Sequence, residues 1–476
     1  MNVPAAPAEP VAVVLLGASG DLARKKIVPA LFALFSQGLL PASFRLYGFA
    51  RSAHTDAAFR ALLAEHLTCR AGTPGDCAAR ARSFLDHCFY CSGAYDSPDA
   101  YLDLFQIMND RDPAPGANRL FYLATPPSVF GPAARALGDA GLVQCGTSRP
   151  WSRIVLEKPF GRDRESFDRL ARDTARVFRE EQTYRIDHYL GKEAVQNLMA
   201  LRFANRLFEP VWNRTAVESV RIEWREDIGI EGRGGYYDRY GIVRDVMQNH
   251  LLQVLALIAM DRPVGPGAAA VSRAKLDVLR RIPPPGPDAL RLGQYAAADF
   301  QGRTRLGYRE ETGVPPDSRT PTYAELVLTI ENERWRGVPF RMIAGKALDR
   351  KLTEVRIRFK PVSADLFAPA GSPPPNELVA RIQPDESLRL SIVSKKPGFG
   401  LDLAETALDL RYRSVFPADV PDAYERLLLD VMNGDKSLFP HADELAAAWD
   451  IFTPALREIE DRRREPFLYP FGADAP

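Results

Sequence analysis

The chain has 476 residues, too many for one ordinary hydrophobic core, because cores stop growing at about 250–300 residues, so we expect two domains. Hydrophobic residues make up 46% and charged residues 26%, which is typical of a globular protein. Lys and Arg number 62 against 61 Asp and Glu, and this net charge of +1 argues against a nucleic-acid-binding protein, which usually carries a basic excess.

Residues 1–10 are rich in Ala and Pro, and no Lys or Arg precedes Arg24. A secretory signal begins with basic residues, so the sequence indicates a cytoplasmic protein. Residues 11–16 form a continuous apolar run, which predicts a strand buried inside a parallel sheet.

The sequence GASGDLA at 17–23 follows that strand and opens a predicted helix over 21–37, which Gly38 can end. Its two glycines allow a tight turn that approaches a pyrophosphate closely, and the N–H groups of the helix start then bind that anion. The pattern predicts a dinucleotide site, although taken alone it also fits an ordinary tight turn.

A second strand is predicted at 44–50 and is followed by Arg51. An NAD site has a carboxylate here for the ribose 2′-hydroxyl, whereas a guanidinium binds a 2′-phosphate with two hydrogen bonds. Arg51, helped by Ser19, therefore indicates NADP; the alternative is a solvated surface arginine.

Cys88 and Cys91 have the spacing of a redox or metal-binding pair. No second pair and no His partner lies at zinc-site spacing, so we favour free thiols on or near a strand and predict no metal. The chain has five cysteines, and this odd number in a long chain argues against a disulfide framework.

Further strands are predicted at 120–124 and 154–156, with helical segments between them. Alternating strands and helices predict an α/β Rossmann-type domain with a doubly wound parallel sheet. The sequence EKPFG at 157–161 follows the last of these strands and places Lys158 at its carboxyl end, where ligands bind. The Lys158–Pro159 bond can be cis or trans, and the sequence does not distinguish the two.

The sequence RIDHYLGK at 185–192 lies at the boundary between the two halves of the chain, where substrate clefts form. We expect Gly191 to start a helix, which puts His188, Tyr189 and Lys192 at a helix N-terminus that favours an anion. The pattern indicates a phosphate site, and polar surface residues at a helix start are an equally good explanation.

The second half has longer predicted strands at 216–224, 323–331, 354–360 and 377–383, several of them alternating. This pattern predicts an α+β domain with a large, mainly antiparallel sheet. We place the boundary so that residues 1–187 bind the dinucleotide and residues 188–476 form the substrate-binding and dimerisation domain.

The sequence DVMQNH at 245–250 opens a predicted apolar helix that runs to residue 260. Asp245, Asn249 and Gln253 form a polar stripe at i, i+4 spacing, for which a core helix has no packing reason. His250 is suited to accept a proton near neutral pH, but a lone His in an apolar helix is more often a hydrogen-bonded core residue. An adjacent Asp187 would favour the catalytic interpretation, because a carboxylate fixes the ring's tautomer.

No apolar run approaches the ~18 residues of a membrane helix.

These motifs resemble the glucose-6-phosphate dehydrogenase family. The matching stretches span nearly the whole chain in family order: GASGDLA at 17–23, ARS at 50–52, EKPFG at 157–161, RIDHYLGKE at 185–193, EGRGGYYD at 231–238, RDVMQNHLLQ at 244–253, ENERWRGVPF at 331–340, GKAL at 345–348, NELVARIQP at 376–384 and DAYERLLLD at 422–430. The resemblance implies oxidation of D-glucose 6-phosphate at C1 to 6-phospho-D-glucono-1,5-lactone, with hydride transfer to NADP⁺, the first step of the oxidative pentose phosphate pathway. It also implies a homodimer, with a tetramer as a further option.

The resemblance assigns a role to each candidate residue. His250 would be the general base that removes the C1 hydroxyl proton, with Asp187 orienting it and Lys158 between cofactor and sugar. The implied substrate-binding residues are His188, Tyr189 and Lys192 for the 6-phosphate, Glu226 and Asp245 for the hydroxyls, and Lys346, Lys351 and Gln383. The implied cofactor-binding residues are Gly17, Ala18, Ser19, Gly20, Asp21, Leu22, Ala23, Arg24, Arg51 and Lys158.

Some members of that family, mainly eukaryotic, hold a second, structural NADP beside the large sheet. Ile343, Leu352 and Ser391 stand here where that branch has basic residues, and Arg389 stands where it has a Tyr. A multiply charged phosphate needs paired cations, so we predict one NADP per chain.

Two other functions fit part of the pattern. Another two-domain sugar or sugar-phosphate dehydrogenase would share the dinucleotide turn and the EKP sequence, but a non-phosphorylated substrate would not need Lys192 and Lys351. A dinucleotide-binding scaffold or sensor would have no use for Asp187, Lys158 and His250.

Overall fold

The computed structural model describes residues 9–69, 74–111, 116–144, 149–265, 267–362, 373–416 and 421–474. These residues form two compact units, and the chain passes between them several times. Unit 1 comprises the described residues of Met1–Gly191, Pro266–Ser272 and Asp419–Leu445; unit 2 comprises those of Lys192–Gly265, Arg273–Ala418 and Ala446–Pro476.

Unit 1 contains a six-stranded parallel sheet in the order β3-β2-β1-β4-β5-β6. Its strands are β1 (Val11–Leu16), β2 (Arg45–Ala50), β3 (Cys88–Ser92), β4 (Asn118–Leu123), β5 (Ser152–Leu156) and β6 (Thr183–Arg185). All six residues of β1 are buried, as the apolar run predicts for a central parallel strand. The strand order reverses between β1 and β4, which confirms the predicted doubly wound fold and creates a crevice at their carboxyl ends.

The α-helices of the described residues are α1 (Val28–Ser36), α2 (Asp56–Ala64), α3 (Pro74–Asp86), α4 (Pro98–Arg111), α5 (Phe130–Asp139), α6 (Arg164–Ala175), α7 (Glu193–Phe203), α8 (Gly234–Tyr237), α9 (Leu252–Ala259), α10 (Ala268–Leu279), α11 (Tyr412–Val415), α12 (Ala423–Asn433) and α13 (Ala442–Asp461). None of the helices in the described ranges has the length and apolar character of a membrane span.

The predicted helix over 21–37 is not a uniform α-helix. Ala23–Ile27 forms a π-helical turn, in which the N–H of Val28 donates to the carbonyl oxygen of Ala23, and α1 follows. Pro29 explains the wider turn, because proline lacks an N–H and its ring clashes with the carbonyl four residues earlier in a regular helix. Gly38 ends the helix with φ +68°, as predicted.

Unit 2 contains a nine-stranded sheet in the order β16-β15-β14-β13-β7-β12-β11-β8-β17. Its strands are β7 (Val217–Arg225), β8 (Arg291–Ala296), β11 (Tyr323–Leu328), β12 (Phe340–Gly345), β13 (Leu352–Phe359), β14 (Glu377–Gln383), β15 (Ser387–Lys395), β16 (Leu403–Arg411) and β17 (Phe467–Pro470); β9 (Ala298–Phe300) and β10 (Arg303–Arg305) form a separate ribbon. Only the β12–β7 and β17–β8 pairs are parallel, so the prediction of a mainly antiparallel sheet is confirmed.

The β15–β16 hairpin forms one edge of this sheet and differs from the other strands in its exposure. Neither strand has a buried residue, and Leu408 on β16 is 61% exposed. An exposed edge strand with apolar residues normally requires a cover.

The cysteines divide into two groups. Cys88 and Cys91 are buried free thiols on β3, which confirms the sequence interpretation, and burial raises the pKa of both. Cys69 and Cys77 form a disulfide, which the cysteine count did not predict. Cys145 lies outside the described residues.

Candidate active site

The glycine turn after β1 lies at the carboxyl edge of the parallel sheet, beside the crevice between β1 and β4. Gly17 has φ +81°, and an added Cβ would lie 2.4 Å from the carbonyl oxygen of Ala124. Its N–H donates to the carbonyl oxygen of Phe49 at 2.8 Å, which ties the turn to β2 as well. Only glycine fits this backbone, and the tight turn that it allows places the start of the following helix at the carboxyl edge, where a pyrophosphate can approach.

The polar residues at the helix start are already paired with one another. Arg24 Nη2 donates to Asp21 at 2.6 Å and Lys25 Nζ at 3.1 Å, and these hydrogen bonds, from Lys25 first and then from Arg24, lower the pKa of Asp21. The carboxylate is thus offset by two cations and does not oppose an anion at this helix start. Of the other residues in the turn, Ala18 and Ala23 are buried, Ser19 and Leu22 are partly exposed, and Gly20 is exposed.

Arg51 follows β2 at the same edge and is exposed. Its guanidinium carbon lies 5.9 Å from the centre of the Tyr95 ring. No carboxylate of the described residues forms an ion pair with it. The guanidinium is therefore available to an external anion.

Glu157 and Lys158 follow β5 at the carboxyl edge. The Lys158–Pro159 bond is cis, which answers the question the sequence left open. The Glu157 carboxylate accepts the Tyr122 hydroxyl at 2.6 Å; burial raises its pKa, and the hydrogen bonds from Tyr122 and Tyr424 oppose that rise. These bonds hold the strand end on which Lys158 sits.

Asp187 lies just beyond β6, also at the carboxyl edge. The N–H of Ile186 donates to the carbonyl oxygen of Leu156, which extends the pairing with β5 by one residue. Asp187 is 3% exposed, and its Oδ1 accepts the N–H of Tyr189 at 2.9 Å. The backbone thus fixes the direction of a buried carboxylate at the sheet edge.

His188 is packed between two tyrosines. Its ring lies 5.1 Å from that of Tyr189 and 6.3 Å from that of Tyr424, and it is nearly parallel to the latter, with 6° between the planes. Tyr424 also bonds to Glu157, so one side chain links two candidate stretches. Gly191 makes this approach possible, because an added Cβ would lie 2.9 Å from the carbonyl oxygen of Ala423.

Sequence reasoning missed Tyr424, which stands more than two hundred residues after His188 in the chain. The only signal was the family-like stretch DAYERLLLD at 422–430, which gave no role to its tyrosine. Lys192, by contrast, is where the sequence placed it: it is the N-cap residue of α7.

Four candidates of unit 2 lie at one edge of the nine-stranded sheet. Glu226 follows β7 and Lys346 follows β12, which runs parallel to β7. Lys351 precedes β13, which is antiparallel to β7, and Gln383 ends β14, which is antiparallel to β13. Strand direction therefore brings together residues that are far apart in the chain.

Glu226 and Lys346 form the centre of this group. Lys346 is 2% exposed, and its Nζ donates to Glu226 Oε2 at 2.6 Å. The ammonium also lies 5.1 Å from the Trp224 ring and 5.6 Å from the Tyr237 ring. Lys351 is exposed, and Gln383 Nε2 donates to Thr353 at 3.1 Å.

Asp245 and His250 lie on a π-helical segment, Val243–Leu251, which precedes α9 and packs against β7 and β12. The sequence predicted one regular helix here, and the structure instead has a π-helical segment before α9, a difference that the apolar pattern did not reveal. His250 is 2% exposed, and its backbone N–H donates to Asn249 Oδ1 at 2.7 Å.

Two residues of that stripe have packing roles that the sequence did not reveal. Asn249 Nδ2 donates to the carbonyl oxygen of Arg244 at 3.1 Å, and Gln253 accepts a bond from the buried Lys275 at 3.0 Å. Their polarity is therefore explained without a ligand.

Known proteins resemble the chain along its whole length. The profile of the glucose-6-phosphate dehydrogenase NAD binding domain matches residues 14–197, and that of the C-terminal domain of the same family matches residues 199–476. Glucose-6-phosphate 1-dehydrogenase of Dictyostelium discoideum is 47% identical over 98% of this chain and 92% of its own length. A chloroplastic glucose-6-phosphate 1-dehydrogenase of Arabidopsis thaliana is 46% identical over 98% of this chain and 81% of its own length.

The chain belongs to the glucose-6-phosphate dehydrogenase family.

A solved structure supports the same assignment. A glucose-6-phosphate dehydrogenase in complex with its substrate glucose-6-phosphate matches with a TM-score of 0.92 and 39% identity, over 100% of this chain and 97% of that one. The family resemblance identified from the sequence motifs is thus confirmed.

Proposed function

We propose that the chain oxidises D-glucose 6-phosphate at C1 to 6-phospho-D-glucono-1,5-lactone and passes the hydride to NADP⁺. The observation that carries this proposal is the full-length likeness to a glucose-6-phosphate dehydrogenase in complex with glucose-6-phosphate. The C1 carbon of the pyranose ring loses a hydride and its hydroxyl loses a proton, so the C1–O bond becomes the carbonyl of the lactone while the ring stays closed.

His250 is the proposed general base for the C1 hydroxyl proton, and Asp187 is the proposed orienting carboxylate. Asp187 suits that task because one of its oxygens is already committed to the Tyr189 N–H, which limits its rotation. A fixed carboxylate beside an imidazole selects the tautomer and stabilises the imidazolium that forms during catalysis.

The 6-phosphate is assigned to His188, Tyr189 and Lys192, and the sugar hydroxyls to Glu226 and Asp245. Lys346, Lys351 and Gln383 complete the proposed substrate site. The Lys346–Glu226 pair offers a donor and an acceptor side by side, which suits adjacent hydroxyls.

The dinucleotide is assigned to the carboxyl edge of the parallel sheet, where the bound cofactor supplies a hydride acceptor. Gly17, Ala18, Ser19, Gly20, Asp21, Leu22, Ala23 and Arg24 are the proposed residues around the pyrophosphate. Arg51 is proposed to bind the 2′-phosphate, because it carries no internal ion pair among the described residues, and Lys158 is proposed to place C1 against the nicotinamide.

Initial rates with glucose 6-phosphate, glucose, NADP⁺ and NAD⁺ test the proposal. We expect turnover with glucose 6-phosphate and NADP⁺ to exceed all other combinations. Equal rates with free glucose would instead indicate another two-domain sugar dehydrogenase, and no turnover with either sugar would contradict the proposal.

We propose one dinucleotide per chain. In the large sheet Arg356 Nη1 donates to Glu377 at 3.0 Å and Arg381 lies 3.8 Å from the buried Glu354, so both arginines already have carboxylate partners. Native mass spectrometry with saturating NADP⁺ should find a single bound dinucleotide per chain; a second one would contradict this.

We also propose a homodimer formed through the exposed β15–β16 hairpin, with a tetramer of two such dimers as the alternative assembly. Leu390 and Leu408 are cross-strand partners on this hairpin, and Leu408→Lys should increase the monomer fraction in light-scattering measurements. An unchanged mass would exclude this hairpin as the dimer interface.

A cytoplasmic location completes the proposal, and a cytoplasmic Arabidopsis thaliana relative, 43% identical, supports it.

A further inference from the structure

A cavity of about 620 Å³ lies at the amino edge of the parallel sheet in unit 1. Its lining includes Trp151 and Arg153 at the start of β5 and Glu181 just before β6. The proposed dinucleotide residues follow the carboxyl ends of the strands, so the cavity lies at the opposite edge of this sheet. Its volume is in the range of small-molecule sites.

Arg153 is the central cation of this cavity. Its Nη1 donates to the carbonyl oxygens of Val431 at 2.6 Å and Met432 at 2.9 Å, at the C-terminal end of α12. The guanidinium lies 3.8 Å from the centre of the Trp151 ring, which holds it in a fixed plane. Nε and Nη2 of Arg153 have no hydrogen-bond partner within the described part of the chain, so the fork has donors to offer.

Gly434 preserves the position of that fork. It ends α12 with φ +81°, and an added Cβ would lie 2.8 Å from Arg153 Nη2. The position therefore requires glycine both for the left-handed cap and for the approach of the guanidinium.

Lys436 and His441 add to the positive side of the cavity. The Lys436 side chain is 9% exposed, and its Nζ donates to the carbonyl oxygen of Glu180 and lies 3.4 Å from the Glu180 carboxylate. His441 Nδ1 lies 4.0 Å from that carboxylate. Glu180 also accepts two bonds from Arg185, so it is shared among several cations.

Two helix starts also belong to the lining. Ala268 and Ala269 form the first turn of α10, which has 12 residues, and His441 directly precedes α13, which has 20. At α13 the N–H of Ala442 already donates to Glu180 and that of His441 to Glu444, each at 3.3 Å, whereas the start of α10 attracts an anion through its N–H groups and its dipole.

Two carboxylates line the cavity and oppose an anion. Asp435 is partly satisfied, because its Oδ1 accepts the N–H of Ser437 at 2.8 Å. Glu181 is exposed and has no ion pair with a described residue. Removal of the Glu181 charge should therefore strengthen anion binding, which provides a test in the direction opposite to loss of a cation.

We propose that this cavity is a second anion site, which binds a small phosphorylated metabolite. A planar guanidinium with donors to spare, the N-terminal end of α10 and an ammonium that shares Glu180 with other cations form a donor set that suits a tetrahedral phosphate. A carboxylate has two acceptor oxygens where a phosphate has at least three, and it fills less of the cavity. The site does not depend on the proposed dehydrogenase activity, because it lies at the other edge of the sheet.

The test is calorimetric titration of the full chain with inorganic phosphate. The Lys192→Ala variant lacks a proposed contact to the substrate phosphate. It is therefore the background in which phosphate binding to the cavity is measured. In that background, Arg153→Lys keeps the charge but loses the fork, and we expect phosphate binding to weaken at least fivefold. Glu181→Gln should tighten it by about two- to threefold, while Glu165→Gln, an exposed carboxylate on α6, should leave it unchanged.

Identical phosphate isotherms in the parent, Arg153→Lys and Glu181→Gln proteins would overturn the proposal. The proposal would also be overturned if phosphate did not bind and succinate did, with an affinity that depends on both Arg153→Lys and Glu181→Gln. Because Glu181 is exposed, its variant should fold normally, and the test remains decisive if Arg153→Lys lowers the melting temperature.

Discussion

The parallel sheet of unit 1 and the nine-stranded sheet of unit 2 both collect candidate residues at one edge, but by different means. In unit 1 the glycine turn depends on a close approach to the Ala124 backbone that any Cβ would prevent. In unit 2 the site is made of side chains, with the Lys346–Glu226 pair at its centre. A backbone site should therefore fail when atoms are added, and a side-chain site should fail when they are removed.

The largest expected effect comes from His250→Asn, which removes the proposed base of the side-chain site. We expect kcat to fall by roughly 10²–10⁴-fold, the usual contribution of general base catalysis. NADP⁺ affinity should stay within about twofold of the parent. The exposed His54→Asn is the control, and turnover that survives in His250→Asn would show that the base is misassigned.

Gly17→Ala tests the backbone site. The added Cβ would meet the Ala124 carbonyl oxygen, so we expect the Kd for NADP⁺ to rise by about 100-fold, or about 3 kcal/mol. Gly38→Ala is a matched control, because Gly38 also has a positive φ but no atom lies within 4 Å of its added Cβ. That control should lose about 1–2 kcal/mol of stability and no dinucleotide affinity. Equal affinity losses in both variants would indicate general strain instead of a local clash.

Lys192→Ala tests the proposed binding site for the 6-phosphate at the start of α7. Loss of a charge-assisted bond should lower kcat/KM for glucose 6-phosphate by about 10–100-fold. The same change should leave kcat/KM for free glucose nearly unaltered, and Lys360→Ala should affect neither. Equal losses on both sugars would remove Lys192 from the phosphate site.

The smallest effect is expected for Arg51→Ala, which changes cofactor choice alone. The ratio of kcat/KM for NADP⁺ to kcat/KM for NAD⁺ should fall by about tenfold, because the guanidinium contact to the 2′-phosphate is lost. Arg82→Ala on α3 should leave the ratio unchanged. If Arg51→Ala also leaves it unchanged, another residue recognises the 2′-phosphate.

The parallel sheet could be predicted closely because local patterns determine it. The apolar run of β1, the glycine turn and the helix end at Gly38 are all set by neighbouring residues. The π-helical turn before Pro29 and the one that carries His250 were missed, because apolar periodicity alone does not separate a wide helical turn from a regular one.

Contacts between distant parts of the chain were the part that sequence patterns could not reveal. Tyr424 beside His188, Arg153 at the end of α12 and Gln253 on Lys275 all join segments that lie far apart in the sequence. Each residue type is common on ordinary helices and strands, so nothing local marks it. The β15–β16 hairpin was not predicted, although Leu388, Leu390 and Ile392 alternate with polar residues along β15.

Because the chain returns to unit 1 late in the sequence, unit 1 cannot complete its folding until most of the chain has been synthesised. Helix α12 packs against α1, and Leu427, Leu428 and Val431 are fully buried, yet α12 is synthesised long after Gly191. At ribosomal rates of about 5–20 residues per second, the nascent chain waits roughly 10–50 seconds between Gly191 and the end of α12. During that interval the surface of α1 that α12 covers is open, and a ribosome-associated chaperone has its best opportunity to bind.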